Sequence, residues 1–376
     1  MKITFVAPRY HTNQHFWVEA LQENGHEVKF LVDKKIEFAE HYKALEPDVA
    51  EIRPLPRFLC FAIDTFMRMQ GKQLRARLHT VPRWSYLKKY FTESKPDVVI
   101  VRDTGSMLSL GTFLMCRIHK IPYILYNQHP LEAREHLLTR WLQAITIAPR
   151  VRITPTRNCT DNTQNATQNS YYVPLISDFP YDIGNRTAPK TPINLLFIGK
   201  FSLARKKHLL ILESVRTLAT TYDIRLTMVG SYHTNNTEPY NRTVAFIDQH
   251  NLEDIVTIRQ NVPHDQMPEL YKAHDLFVLP SIDEPFSISP LEAMNFGLPV
   301  IITESNGARG CVRDGETGFV IPGNDQAALT QKIEYLLSDA NRINLMGKAA
   351  FTSIQEEYSK KRFHEQLLLA IAAAKR

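Results

Sequence analysis

Two glutamates, Glu284 and Glu292, stand eight positions apart in the run Pro280-Ser281-Ile282-Asp283-Glu284-Pro285-Phe286-Ser287-Ile288-Ser289-Pro290-Leu291-Glu292-Ala293-Met294. The apolar stretch before them, Asp275-Leu276-Phe277-Val278-Leu279, reads as a short buried strand. Ser289 is a good N-cap residue, and Pro290 suits the first helical position because its φ is already helical. The pattern predicts a strand, a tight loop carrying Glu284, and a helix that opens with unpaired N–H groups. A helix start of this kind favours a phosphate or a polarised sugar oxygen. Ser289-x-x-Glu292 is also the pattern of a capping box, in which Glu292 only closes the helix. Glu284 by itself could be a solvated loop charge. Neighbouring motifs must decide between these readings.

One such motif is Phe197-Ile198-Gly199-Lys200-Phe201-Ser202-Leu203-Ala204-Arg205-Lys206-Lys207-His208. Gly199, at a strand end, lets a ligand approach the backbone. Lys200, Arg205 and Lys206 then place positive charge above that strand end. A diphosphate could be held there by charge-assisted hydrogen bonds, although a solvated basic turn has the same appearance.

These motifs need elements to position them, and the chain supplies two series of alternating strand and helix patterns. The first has strands at 3–7, 27–32, 98–101, 123–126, 151–155 and 171–173, with helices such as 16–24 and 108–119 between them. A polar link covers about 177–192. The second has strands at 193–198, 225–229, 255–258, 276–279, 299–302 and 318–321, with helices such as 208–218 and 326–337. This alternation predicts two Rossmann-like, doubly wound parallel-sheet domains, in an α/β chain whose 376 residues exceed one ordinary core. We place the first domain at 1–180 and the second at 190–356, with a helix at 357–376 expected to pack back on the first. Ligands of such sheets bind at the carboxyl ends of the strands, so a cleft between facing domains is the expected site.

Several classes are set aside. No Gly-x-Gly-x-x-Gly follows the first strand, where Ala7-Pro8-Arg9-Tyr10-His11 stands, and there is no Walker-type loop or Asp-x-Asp pair. Cys60, Cys116, Cys159 and Cys311 are scattered, with neither metal-ligand pairing nor a disulfide framework. No apolar window is long enough to span a bilayer and no signal peptide is expected at the N-terminus, so we expect a cytoplasmic protein. Charge is uneven. Residues 1–190 hold 26 basic and 18 acidic side chains, and the remainder 19 and 21. The excess gathers at Arg57, Arg68, Lys72, Arg75, Arg77, Arg83, Lys88 and Lys89, interleaved with Phe58, Phe61, Phe66 and Trp84. Such a segment can lie on an anionic membrane or can be an ordinary pair of helices with solvated lysines.

The run from Glu284 to Glu292, its continuation to Val300, and Asp314-Gly315-Glu316-Thr317-Gly318-Phe319-Val320 resemble the retaining glycosyltransferases of family 4, which have the two-domain GT-B fold. The similarity is strongest over 193–340. It is weaker at Gly25-His26-Glu27-Val28, Lys95-Pro96-Asp97-Val98 and Asn127-Gln128-His129. The resemblance implies that Lys200 and Lys206 hold a donor diphosphate, and Arg205 adds positive charge beside them. It implies that Glu292 bonds the ribose, that Glu284 places the donor sugar, and that the backbone of Phe286, Ser287, Ile288 and Ser289 meets the sugar and distal phosphate. Val262 falls where the family reads the base edge, and His129 matches an acceptor-side histidine near the anomeric carbon. Activity without a metal or cofactor is implied too, with a uridine rather than guanosine diphosphate donor.

The chain departs from the family at Pro8–Asn13, where a glycine pair is usual, at Lys200 for arginine, at Ser287 for glycine, and at Gln260-Asn261. The expected function is retaining transfer of a sugar from a nucleoside-diphosphate donor to a glycan or lipid-linked glycan in cell-surface polysaccharide or lipopolysaccharide synthesis. The enzyme would work in the cytoplasm or on the inner face of the membrane, with no nucleic-acid partner. A same-fold sugar-nucleotide epimerase or hydrolase, or a silent sugar-nucleotide-binding subunit of an assembly complex, remains open.

Overall fold

The computed structural model describes residues 1–10, 14–34, 44–69, 79–102, 104–128, 149, 151–157, 169–231 and 237–376. The chain divides into two compact units. One comprises Met1–Pro155, Asn162–Ile176 and Lys360–Arg376, and the other Thr156–Asp161 and Ser177–Ser359.

The strands of the first unit are β1 (Lys2–Ala7), β2 (Glu27–Val32), β3 (Asp48–Val49), β4 (Ile52–Pro54), β5 (Thr80–Pro82), β6 (Val98–Arg102), β7 (Tyr123–Tyr126), β8 (Val151–Thr154) and β9 (Ser170–Tyr172). Seven of them form a parallel sheet in the order β3-β2-β1-β6-β7-β8-β9. β1 and β6 are apolar along nearly their whole length, and Ile3, Phe5, Val6 and Val98–Val101 are buried. Strands covered on both faces lose the polar alternation of a half-exposed sheet. β4 and β5 form a separate antiparallel pair, with Ile52 opposite Pro82. Sequence pattern missed β3, β4 and β5. They are two or three residues long, and each of these short strands lies partly or fully exposed.

The final helix, Lys360–Ala374, belongs to this unit. Phe363, Leu367, Ala370 and Ile371 recur at helical spacing and are buried. The Phe363 ring stacks on Trp17 at 5.0 Å and 20°. Trp17 is itself fixed by its indole N–H donating to the Pro174 carbonyl at 2.8 Å. Lys360 closes the contact on Glu23 at 2.6 Å and Glu19 at 3.3 Å.

The second unit has one six-stranded parallel sheet. It is built from β10 (Ile193–Ile198), β11 (Ile224–Gly230), β12 (Val256–Gln260), β13 (Leu276–Leu279), β14 (Val300–Thr303) and β15 (Gly318–Ile321), in the order β12-β11-β10-β13-β14-β15. Strand order reverses between β10 and β13, which are paired in parallel with Leu195 beside Leu276. Chain leaving β10 moves toward one side of the sheet and chain leaving β13 toward the other. A crevice opens at the carboxyl ends of such a pair. Gly199 follows β10 and the Glu284 loop follows β13, so topology places both motifs at that point.

In the basic segment, the helix Arg57–Met69 leaves Phe58 and Phe61 exposed at 71% and 72%. Lys72, Arg75 and Arg77 lie outside the described residues. No helix among the described residues is long and apolar enough to cross a membrane.

Phe363→Ala should cost about 3–5 kcal/mol of unfolding free energy, because it empties a fully buried ring site. Urea denaturation of wild type and variant measures this. An unchanged midpoint would mean that the final helix adds nothing to the first unit.

Candidate functional site

The Glu284 loop is clamped from β14's continuation. Asn306 bridges to Glu284, the Gly307 N–H donates to the Glu284 carbonyl at 2.8 Å, and the Glu284 N–H donates to Ser305 O at 3.3 Å. A Cβ on Gly307 would lie 1.8 Å from the Pro285 carbonyl, so only glycine permits this approach. The Asn306 side chain reaches back, donating to Ser281 Oγ at 3.3 Å and accepting from the Ala308 N–H at 3.0 Å. The Thr303 hydroxyl donates to the Ser281 carbonyl. Asp283, at φ 49°, turns the chain so that the Glu284 side chain goes inward, and Glu284 is only 8% exposed.

A buried carboxylate needs a partner. The partner comes from the loop after β10, where Ala204–Lys206 form a short 3-10 turn and Lys207 adopts φ 57°. Lys206 Nζ sits 2.7 Å from Glu284 Oε2, and Arg205 approaches both carboxylate oxygens at 3.5 Å. The Ile282 N–H donates to the Arg205 carbonyl at 2.9 Å and ties the two loops together. Gly199 has a local reason to be glycine: a Cβ there would lie 3.0 Å from the Phe197 ring and 3.2 Å from Lys206 Cδ. Lys200, next in sequence to Gly199, is exposed. His208 packs its ring against Phe197 and Phe201, each at 5.0 Å. Burial pushes its imidazole down to about 4, opposed by a backbone hydrogen bond with Gly199 and reinforced by the Lys206 charge, so it is neutral at pH 7.

Glu292 departs from the capping-box reading. Ile288 has αR backbone angles and takes the cap position, which moves Ser289 inside the helix Ser289–Asn295, and no side chain caps that helix. The Glu292 carboxylate is 6% exposed. Its Oε2 accepts from the Tyr271 hydroxyl at 2.6 Å, and its Oε1 lies 3.6 Å from His264 Nε2. Burial and then the Glu292 charge hold the Tyr271 phenol well above its usual range, so it stays a donor. Phe286 and Ser287 are buried, and the Ser287 hydroxyl has no hydrogen-bond partner among the described residues.

Val262 is half-buried just beyond β12. Beside it, Asn261 turns the chain at φ 53°, and Gln260 donates to the Tyr240 hydroxyl at 2.6 Å. His129 lies outside the described residues. The structure therefore brings Gly199, Arg205, Lys206 and Glu284 together, and gives Glu292 a set of contacts of its own. Sequence reasoning missed Tyr271, His264, Asn306 and Gly307. Asn306 and Gly307 together carry an Asn-Gly turn signal; Tyr271 and His264 have none, because their contacts to Glu292 join segments far apart in sequence.

Residues 180–352 match the family model described as "Glycosyl transferases group 1". Among curated relatives, the chain is similar to the D-inositol 3-phosphate glycosyltransferase of Nocardia farcinica, 26% identical over 165 residues, covering 43% of this chain and 36% of the relative. It is also similar to the capsular polysaccharide biosynthesis glycosyltransferase CapM of Staphylococcus aureus, 27% identical over 177 residues, covering 46% and 43%. The match thus spans less than half the length of these relatives.

Among solved structures, a glycosyltransferase from Rickettsia africae shares the fold at TM-score 0.72 and 16% identity, over 99% of this chain and 98% of that one. Anabaena HepE in complex with UDP-glucose does so at TM-score 0.67 and 14% identity, over 99% and 100%. The fold is GT-B, with two parallel-sheet α/β domains.

Lys206→Met should destabilise the second unit by about 3 kcal/mol, since it strips the nearest cation from a buried carboxylate. Adding Glu284→Gln should restore most of the loss by removing the charge. Denaturant unfolding of both variants checks this, and additive losses would mean that the pair is not coupled.

Proposed function

We propose that the protein is a retaining glycosyltransferase that moves a sugar from a nucleoside-diphosphate donor, UDP-linked in preference to GDP-linked, to a glycan or lipid-linked glycan. The observation that carries this reading is the Glu284–Lys206–Arg205 cluster at the β10/β13 switch point, inside the segment that matches group 1 glycosyl transferases. Nucleotide-sugar binding by a protein of the same fold supports the donor class, and the name of the capsular relative supports a polysaccharide acceptor.

In this reading Lys206, Arg205 and Lys200 neutralise the leaving diphosphate. Glu284 takes a donor-sugar hydroxyl and Glu292 the ribose. Val262 meets the base, the backbone of 286–289 lines the sugar, and His129 is assigned to the acceptor side by the resemblance alone. The fixed cations favour charge that grows on the leaving group, which is electrostatic preorganisation. Attack comes from the face the diphosphate leaves, and a phosphate oxygen takes the acceptor proton. The protein's own side chains supply the positive charge this requires.

The test is turnover of a panel of UDP- and GDP-sugars with and without glycan and lipid-linked acceptors, with the anomeric configuration of the product read by NMR. Glu292→Gln should weaken nucleoside-diphosphate binding about tenfold or more, the worth of one hydrogen bond to a charged group, with little change in melting temperature. Altered nucleotide sugar without acceptor would favour an epimerase or hydrolase. Binding with no turnover of any donor would favour a silent subunit.

Contact with an anionic bilayer belongs to the same proposal. Phe58 and Phe61 are exposed on the helix that Arg57 opens, and Trp84 is exposed on the helix that carries Lys88 and Lys89. Each basic residue near the surface contributes about 1 kcal/mol. Replacing Arg75, Arg77, Lys88 and Lys89 with serine should release the protein from phosphatidylserine vesicles in a sedimentation assay while sparing donor binding. Equal sedimentation of wild type with neutral vesicles, or none with either, would overturn the docking.

A further inference from the structure

Resting on the reading of Glu292 as the ribose ligand, we propose that Tyr271 is a positioning residue that sets ribose recognition by holding the Glu292 carboxylate in place.

Glu292 is buried on a helix of seven residues, and its side chain has several rotamers that burial alone does not choose between. What chooses is the Tyr271 hydroxyl, 2.6 Å from Oε2. Tyr271 has no freedom of its own. It is fully buried in the helix Met267–Lys272, and its ring stacks on Phe296 at 5.4 Å and 9°. Phe296 ends the helix that carries Glu292, so one aromatic stack fixes the spacing between donor and carboxylate.

A phenol has one proton to give, and it goes to Oε2. An ionised carboxylate has about four acceptor positions, so Tyr271 leaves Oε1 and part of Oε2 for a ligand diol. His264 Nε2 lies 3.6 Å from Oε1, longer than a hydrogen bond, so the short contact that fixes the carboxylate is the phenol's. The phenol's raised ionisation point keeps it a donor across the working pH range. Tyr271 therefore acts through Glu292 rather than on the donor itself.

The experiment compares uridine diphosphate with its 2′-deoxy counterpart by calorimetry. Wild type should bind the ribonucleotide at least about tenfold tighter, as expected for a hydrogen bond to a charged acceptor. Tyr271→Phe keeps the stack and loses the hydroxyl. It should reduce that ratio to about threefold or less, mainly by weakening the ribonucleotide.

A wild type that does not discriminate would sink the ribose reading of Glu292 itself. A discriminating wild type with an unchanged ratio in Tyr271→Phe would overturn the positioning role, as would an equal loss of affinity for both nucleotides. Where Tyr271→Phe alone does not fold, the comparison moves to Glu292→Gln, with no buried charge left unpaired. There, adding Tyr271→Phe should leave the ratio where Glu292→Gln put it, and a further change would overturn the proposal.

Discussion

The second unit is organised around one electrostatic requirement: the buried Glu284 carboxylate must be neutralised. An isolated carboxylate at that depth would take up a proton or push its loop outward. Lys206 at 2.7 Å, with Arg205 at 3.5 Å, supplies the opposing charge and holds the loop in place. Much of the local backbone serves that pair. Gly199 leaves room for the lysine stem, Gly307 lets the loop after β14 close on Pro285, and the Ile282–Arg205 backbone bond ties the Glu284 loop to the Lys206 loop. The result is a cluster of opposite charges whose spacing the surrounding backbone fixes.

The sheet explains why these loops meet. β10 and β13 are neighbours in space but are separated in sequence by two strands and their connections. Reversal of strand order at this pair sends the following loops apart and leaves their first residues side by side. The nearly continuous apolar runs of both strands bury them on both faces, which gives the loops a rigid base. Loops on such a base can carry a buried ion pair without losing its geometry. The Glu292 contacts obey the same logic with an aromatic support, the Tyr271–Phe296 stack.

In the first unit the apolar stripe of the final helix, after a long excursion through the other unit, returns to cover Trp17. A contact that closes so long a loop costs chain entropy that grows only slowly with length, and a buried aromatic stack more than offsets it.

By itself the sequence determined the order and type of the long elements, because continuous apolar runs and helical spacing are local properties. It also marked Glu284, Lys206 and Glu292 as candidates, through motif spacing. The strands β3, β4 and β5 were hidden by their brevity and exposure, and their pairing comes only from the chain around them. The helix start was misread by one residue, since Ile288 adopts helical angles that propensity alone would not assign before a serine and a proline. Only tertiary structure showed that Glu292 does not cap its own helix. Tyr271 lies twenty-one positions earlier, and nothing in the spacing foretells that its hydroxyl would draw the carboxylate away from the helix start. Side-chain partners across a fold are chosen by packing, which depends on every strand and helix being in place at once.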